Sequence, residues 1–383
     1  MINMRIIIAG DLFCGGDLLK EAASPDLIKI PEYFKADFRI VNLENPLSDR
    51  NEVADKCTLH APTNGVKYLR AFNIDGVNLA NNHMHDKGND GIKDTIDTLD
   101  KYSIKHCGAG ENIKKARNPI LLEKNGEKVA ILGFCDFDRS YLKQVQIAAE
   151  TTPGVAPLRY EIILEDLNDL DHSIDKAVLF FHWGREHTWF PPKEDIILAM
   201  KVLTHPKVGL VVGSHSHLPQ GFVEHEGKKA YMSLGNFLFP NFFIQNPTQL
   251  VYPSETSDYD ITHGYHSVKR LTHKRWSKWS RRSILICVDT VEKTSNIIFV
   301  EQEHLCPIVK KILPFNRFFI LSKIYNNANS FYDIISDNWY NYIKIKRHMN
   351  NYYNYLRQNG FRTVLIKLYA KTLNYIRSRS DAL

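Results

Sequence analysis

The chain has 383 residues, 44% hydrophobic and 24% charged, which excludes a disordered or fibrous protein and allows one large or two ordinary domains with a sizeable core. No run approaches the roughly 18 apolar residues of a transmembrane helix, and MINMRIIIAGD, stopped at Asp11 with no small-residue cleavage site after it, reads as a first strand rather than a signal peptide. The six cysteines are scattered without a Cys-x-x-Cys pair, which argues against a disulfide framework or a cysteine zinc site and for an intracellular, cytoplasmic chain.

In chain order, RIIIAGD (5–11) is expected to be a strand ending in a carboxylate and DLIKIPEYFKA (26–36) a short helix. DFRIVNLENPLS (37–48) is a second strand running into a polar turn that carries Glu44. Residues 66–88 predict a helix, a turn at Asp75-Gly76 and a buried strand VNLA, which ends in Asn81, Asn82 and His83. In 91–104, Ile92, Ile96, Leu99 and Tyr102 share one helical face. A strand opened by the Asn125-Gly126 turn follows (126–137), then a Pro-bounded loop and the helical IILEDLNDL. KAVLFFHWGREH (176–187) is an apolar strand with a polar end, EDIILAMKVLTH an amphipathic helix, and VGLVVGSHSH (208–217) a strand ending in His215 and His217. The two histidines are expected to converge through an extended backbone, in which alternate side chains share a face. KKAYMSLGNFLF (228–239) gives one more strand and turn.

The recurring unit of strand, polar carboxyl end and helix points to an α/β fold with its site at the strand ends. Residues 240–282 break the pattern and read as an insertion or lid, with His263, His266, His273, Trp276 and Trp279 in a solvated basic loop by default. RRSILICVDTVEKTSNIIFVEQEH returns as a β-hairpin. From 308 onward, 13 Lys/Arg stand against 3 Asp/Glu, with 9 of the 18 tyrosines, although the whole chain is only +6. That shift marks a helical, basic, Tyr-rich extension (308–383) beyond a main domain of 1–307. Packing on the main domain is its commonest explanation. Its mixed apolar and basic character also suits an anionic membrane surface, and a nucleic acid ranks lowest because no such motif accompanies it.

Collecting the strand ends gives Asp11, Glu44, Asn82 with His83, His182, and His215 with His217. Any one of these is ordinary. Five segments bringing oxygen and imidazole groups to one sheet edge would each bear a desolvation cost unless they served a common purpose. Two carboxylates, an amide oxygen and three imidazoles suit a pair of divalent ions such as manganese, zinc or iron.

The order of the motifs GDLF, NLENPL, ANNHMHDKGNDGI with DTLD, GAG (108–110), FHWGREHTWFPP, GSHSHLPQG and YMSLGNF resembles the CapA family, the poly-γ-glutamate capsule proteins with a calcineurin-like metallophosphatase fold. The resemblance spans about residues 5–240 and resumes in the 283–300 hairpin. It implies a metallophosphatase-like β-sandwich flanked by helices, with the basic extension appended. It further implies that Asp11 binds one metal, that Glu44 bridges two, that Asn82, His182 and His215 hold the second, and that His217 returns to the first. His83 would be the leaving-group acid. Two positions depart from the pattern: Phe13 stands where metallophosphatases keep a histidine, so the first metal loses a ligand, and Ser214 and Ser216 replace bulkier neighbours of the histidine pair.

Around this set, Asp86 either orients His83 or serves the start of the next helix. Trp183 and Glu186 shape the substrate pocket, Glu186 as a hydrogen-bond partner rather than a ligand. Asn236 binds substrate or makes a turn, and His60 is a structural loop residue. The function so implied is metal-dependent hydrolysis in the biosynthesis of a capsule or other extracellular polymer, alongside that machinery, with peripheral contact at the inner membrane face through 308–383. A non-catalytic assembly or export partner and an intracellular phosphodiesterase are the alternatives.

Overall fold

A computed structural model of the chain describes residues 4–51, 58–137, 145–244, 272–290, 294–328 and 330–359. Contacts between Cα atoms divide it into two units, 1–329 and 330–383.

The first third builds β1 (Arg5–Leu12), β2 (Ile28–Lys29), α1 (Pro31–Phe34), β3 (Phe38–Leu43), α2 (Val66–Ala71), β4 (Gly76–Asn78), α3 (Gly88–Lys101) and β5 (Lys105–Cys107). The expected helix at 26–36 is thus a short strand followed by a single turn that Pro31 opens, since proline is favoured where a helix starts. The middle carries β6 (Ala109–Gly110), α4 (Ile113–Ala116), β7 (Ile120–Lys124), β8 (Glu127–Cys135), β9 (Gly154–Val155), α5 (Tyr160–Asp169), β10 (Lys176–His182), α6 (Lys193–Leu203) and β11 (Val208–Ser214). After it come β12 (Phe222–His225), β13 (Lys228–Tyr231), β14 (Asn236–Leu238), β15 (Phe242–Ile244), β16 (Thr272–Lys274), β17 (Arg282–Asp289), β18 (Thr294–Gln302), β19 (Val309–Lys311) and α7 (Asn316–Asn326). The second unit holds α8 (Ser330–Asn359).

Among the described residues, one nine-stranded sheet runs β2-β19-β18-β17-β1-β3-β4-β5, with β14 also on β1, and a six-stranded sheet runs β12-β13-β11-β10-β8-β7. The side-chain period of two divides β1 cleanly. Ile6 and Ile8 join Val129, Ile131, Val178, Phe180, Leu210 and Val212 of the second sheet in one core, while Ile7 and Ala9 face Tyr68, Phe72, Ile92 and Leu99 of the helices. The fold is therefore a two-sheet sandwich. Helices α2 and α3 cover one outer face, and α6 lies against β11, β12 and β13 on the other sheet. It is the mixed α/β sandwich flanked by helices that the sequence motifs imply.

Part of the basic extension is built into this first unit. Val309–Lys311 pairs with β18 and β2, and Ser322 and Asn326 of α7 hydrogen-bond the backbone of β12. His263 and His266 lie outside the described residues; the two ends of the insertion lie within them. β15 pairs antiparallel with β16, and Trp276 is buried rather than solvated, its indole N–H donating to the Pro240 carbonyl.

Strand direction places the site. β3 and β4 run parallel to β1, and β8, β11 and β13 share the direction of β10 in the other sheet. Gly10 lets β1 reach the turn before β14. A Cβ there would lie 1.8 Å from the Gly235 carbonyl oxygen, and the Asp11 N–H donates to that oxygen at 3.0 Å.

Candidate metal centre

Asp11, Glu44, His182, His215 and His217 come together at the carboxyl ends of the strands, and none is more than 5% exposed. They form two sets: Glu44, His182 and His215 in one, Asp11, Glu44 and His217 in the other. Within each set one ligand-type atom per residue lies within 4.8 Å of the others. Glu44 is common to both.

Asp11, His182 and His217 are each oriented by a further residue. Asn42, two before Glu44, donates from Nδ2 to Asp11 Oδ1 at 2.8 Å and accepts from Asn78 Nδ2 at 3.0 Å. That leaves Asp11 Oδ2 toward His217 Nδ1 at 3.8 Å. Ser214 Oγ donates to the Phe181 carbonyl at 3.3 Å and so accepts from His182 Nδ1–H at 2.8 Å. His182 Nε2 then faces Asn82 Oδ1 at 2.8 Å, His215 Nδ1 at 3.1 Å and Glu44 Oε1 at 3.9 Å. Asn236 Nδ2 donates to the Ser280 carbonyl at 3.0 Å, which fixes the amide so that its Oδ1 accepts from His217 Nδ1–H at 2.8 Å. His217 Nε2 is thereby aimed at Glu44 Oε1, 3.8 Å away. Asn236, read in sequence as a substrate contact or a turn residue, has both ends of its amide engaged and positions His217.

The histidine pair does not converge through an extended strand. β11 ends at Ser214, and His215 and His217 lie in the following turn with φ of +86° and +54°. These are left-handed conformations that cost a non-glycine residue about 1–3 kcal/mol and cluster at functional sites. The reversed backbone sends His215 to His182 and His217 to Asp11, where an extended segment would have presented both to one point.

Both Glu44 oxygens and Asp11 Oδ2 are buried without a hydrogen-bond partner. Burial raises the Asp11 carboxyl despite His217 and Asn42, while burial and then the nearby Asp11, Glu186 and Asp86 charges hold Glu44 well above the usual carboxylate range. An uncompensated pair of this kind is expensive in a protein interior, and a divalent cation removes the cost. The residues fit such an ion. Their oxygen and imidazole chemistry suits manganese, zinc or iron, and Asp11, His182 and His217 carry the orienting partners common among metal ligands.

His83, adjacent in the chain to Asn82, donates from Nδ1 to Asp86 Oδ2 at 2.7 Å, and the Leu59 N–H donates to the same oxygen at 2.7 Å. Asp86 thus contacts His83, whereas the helix that follows starts at Gly88 with Lys87 as its cap. His60 lies nearby, its imidazole pushed down by burial and then by Lys87. Trp183 differs from the substrate contact expected of it. It is 2% exposed, its N–H donates to the Met232 carbonyl at 2.9 Å, and its ring packs on Phe181, so it braces the wall from behind. Glu186 acts on Glu44 through its charge.

Phe13 occupies the flank of His217. It joins Leu59, Phe239, Phe242 and Trp276 in a small apolar cluster, and the rings of Phe239 and Trp276 lie 5.3 and 5.0 Å from that of His217. His187 stands on the same flank, 5.4 Å from His217 and 5.9 Å from Trp276, its backbone also left-handed at φ +57°. Sequence reading passed over Asn42, His187 and Ser214 as a partner of His182, and it placed Trp276 in a solvated loop rather than beside His217. Asn42 was findable, because it lies on β3 two residues before Glu44, the spacing at which an extended chain repeats its facing.

Residues 5–241 match the family model described as bacterial capsule synthesis protein PGA_cap. The PGA biosynthesis protein CapA of Bacillus subtilis (strain 168) is 32% identical over 214 residues, 55% of this chain and 55% of that protein. The capsule biosynthesis protein CapA of Bacillus anthracis is 32% identical over 220 residues, 55% of this chain and 52% of that protein. The chain thus spans about half the length of these relatives. A solved calcineurin-like phosphoesterase, YfkN from Bacillus subtilis, aligns over 81% of this chain and 88% of its own at 14% identity and a TM-score of 0.37; the sandwich assignment rests on the strand register instead. With more than half its length matched to the family model, the chain belongs to the bacterial capsule synthesis protein PGA_cap family.

Proposed function

We propose that the protein is a metal-dependent hydrolase of capsule or polyglutamate-type polymer synthesis, holding two divalent cations that share Glu44. The observation that carries this reading is the pair of donor sets meeting at Glu44, both of whose oxygens are buried and lack a hydrogen-bond partner. Asp11 and His217 would hold one ion, and Asn82, His182 and His215 the other. When bound, the ions supply activation of water and neutralisation of charge on a phosphoryl or related oxyanion. The chain's own residues do the rest. Asn42, Ser214 and Asn236 fix which atom each ligand presents. His83, with Nδ1 held by Asp86, keeps Nε2 for a proton passed to a departing oxygen. The apolar flank of Phe13, Phe239 and Trp276 restricts water beside His217.

The pathway comes from kinship with the two CapA proteins, and work alongside capsule-synthesis machinery follows from it. A second reading, a non-catalytic partner in polymer assembly, is favoured by one feature: an apolar cluster surrounds Phe13, where the metallophosphatase pattern has a ligand. Metals per chain and hydrolysis of a generic phosphodiester separate the two. Catalysis predicts two metals, with turnover lost in His215→Ala together with metal, and lost by about 100-fold or more in His83→Ala with metal retained. Zero or one metal and no turnover in the native chain would support the assembly role.

A further inference from the structure

The second unit presents an apolar face that the metal centre does not explain. Along α8, Ile334, Ile335, Trp339, Tyr342, Ile345 and Met349 are between 36% and 64% exposed. Their spacing of mostly three or four places them on one side of the helix. On another side the helix already buries Tyr332 and Ser336, each 2% exposed, so this stripe is an additional apolar surface in water. Contiguous patches of this kind mark interaction sites.

The distribution of charge selects the partner. Asp333 and Asp337 fall on the opposite side at helical spacing, while Lys346 borders the stripe with its ammonium 5.8 Å from the Tyr342 ring. Lys344 stands over the Tyr340 ring at 4.5 Å. Residues 330–383 carry nine Lys/Arg against three Asp/Glu. Two copies of a segment with this excess of basic residues would repel one another on packing stripe to stripe, whereas an anionic lipid surface attracts it. Indole and phenol rings suit the headgroup boundary, and a lysine stem can lie along the apolar layer with its ammonium at the phosphates. No helix among the described residues is long and apolar enough to cross a membrane, which leaves lying on one.

We propose that α8 docks through the Ile334–Met349 stripe onto an anionic membrane surface, with Lys346 at the headgroups. The test uses the full chain and cosedimentation with vesicles of phosphatidylcholine alone or with about one-third phosphatidylglycerol. The chain should pellet with the anionic vesicles only, release as salt rises, and bind about tenfold or more weakly as the Ile345→Asp/Met349→Asp double variant. Both side chains are more than half exposed, so the variant should fold, and its metal content should match the native chain. That readout keeps this test separate from the metal reading. Native chain left in the supernatant with anionic vesicles, or binding unaltered in the double variant, would overturn the proposal. So would a dimer in sedimentation velocity that the double variant splits while vesicle binding is absent.

Discussion

The two donor sets that meet at Glu44 are built differently. The set with His182 and His215 is polar throughout: His182 Nε2 has Asn82 Oδ1 and His215 Nδ1 within 3.1 Å, and Ser214 backs the ring. The set with Asp11 and His217 has one polar side, made by Asn42 and Asn236, and one apolar side, made by Phe13, Phe239 and Trp276. Both place ligand atoms at similar spacing, so geometry alone does not distinguish them. The surroundings do. The first half is saturated with donors, whereas the second offers fewer ligands in a drier environment, and the weaker ion should sit there.

Changing the shared residue should have the largest effect. Glu44→Gln removes the carboxylate common to both sets, and metal affinity measured by calorimetry should fall by about 100-fold or more at both sites. Changing one histidine in each half sharpens the contrast. His182→Ala should abolish the tighter binding step, and His217→Ala only the weaker one, each seen as the loss of one metal by elemental analysis. A variant of either kind that lost neither ion would erase the asymmetry. Asn236→Ala, which frees the His217 ring without removing it, should weaken only the weaker site, by about tenfold in the same titration.

Phe13→His addresses the apolar side directly. It should strengthen the weaker site while lowering stability by about 1–3 kcal/mol, because a polar ring replaces an apolar one in a packed cluster. Chemical denaturation without metal would measure the cost, and metal titration the gain. The smallest effect concerns pH. Since the folded chain holds the Asp11 and Glu44 carboxyls above their usual range, it binds more protons than the unfolded chain. The stability they contribute without metal is complete below the ordinary carboxylate pKa and is lost as pH rises through the raised values. Melting of metal-free protein should therefore weaken with rising pH, and added metal should reverse that trend. A metal-free melting point that rose over the same interval would show the carboxylates to be compensated some other way.

The contrast also shows what a linear chain reveals. The candidate ligands were legible because each terminates an apolar run, where a charged or imidazole side chain has no local reason to be. The α/β organisation was legible in the recurring strand, polar end and helix, whereas the sandwich came with the family resemblance alone, because the apolar run Ile6–Ala9 does not say that its alternate side chains enter two different cores. Backbone hand was not legible at His215 and His217: a strand ending in Ser-His-Ser-His favours the extended reading, and non-glycine residues give no local signal for the left-handed turn found there. Nor was the role of Asn236, which depends on the Ser280 carbonyl 44 residues away. The burial of Trp276 was hidden for a related reason, since its polar flanks describe a loop while its partners Phe13 and Phe239 lie far along the chain. Likewise Val309–Lys311 sits in a basic stretch and becomes a strand only because β18 and β2 present open edges.

The central claim is that Glu44 joins two ions, and manganese anomalous scattering from soaked crystals tests it most directly. Two peaks are expected, both within coordinating distance of Glu44, with the fuller one beside His182 and His215. No peak, or a lone peak that leaves Glu44 unliganded, would contradict the account.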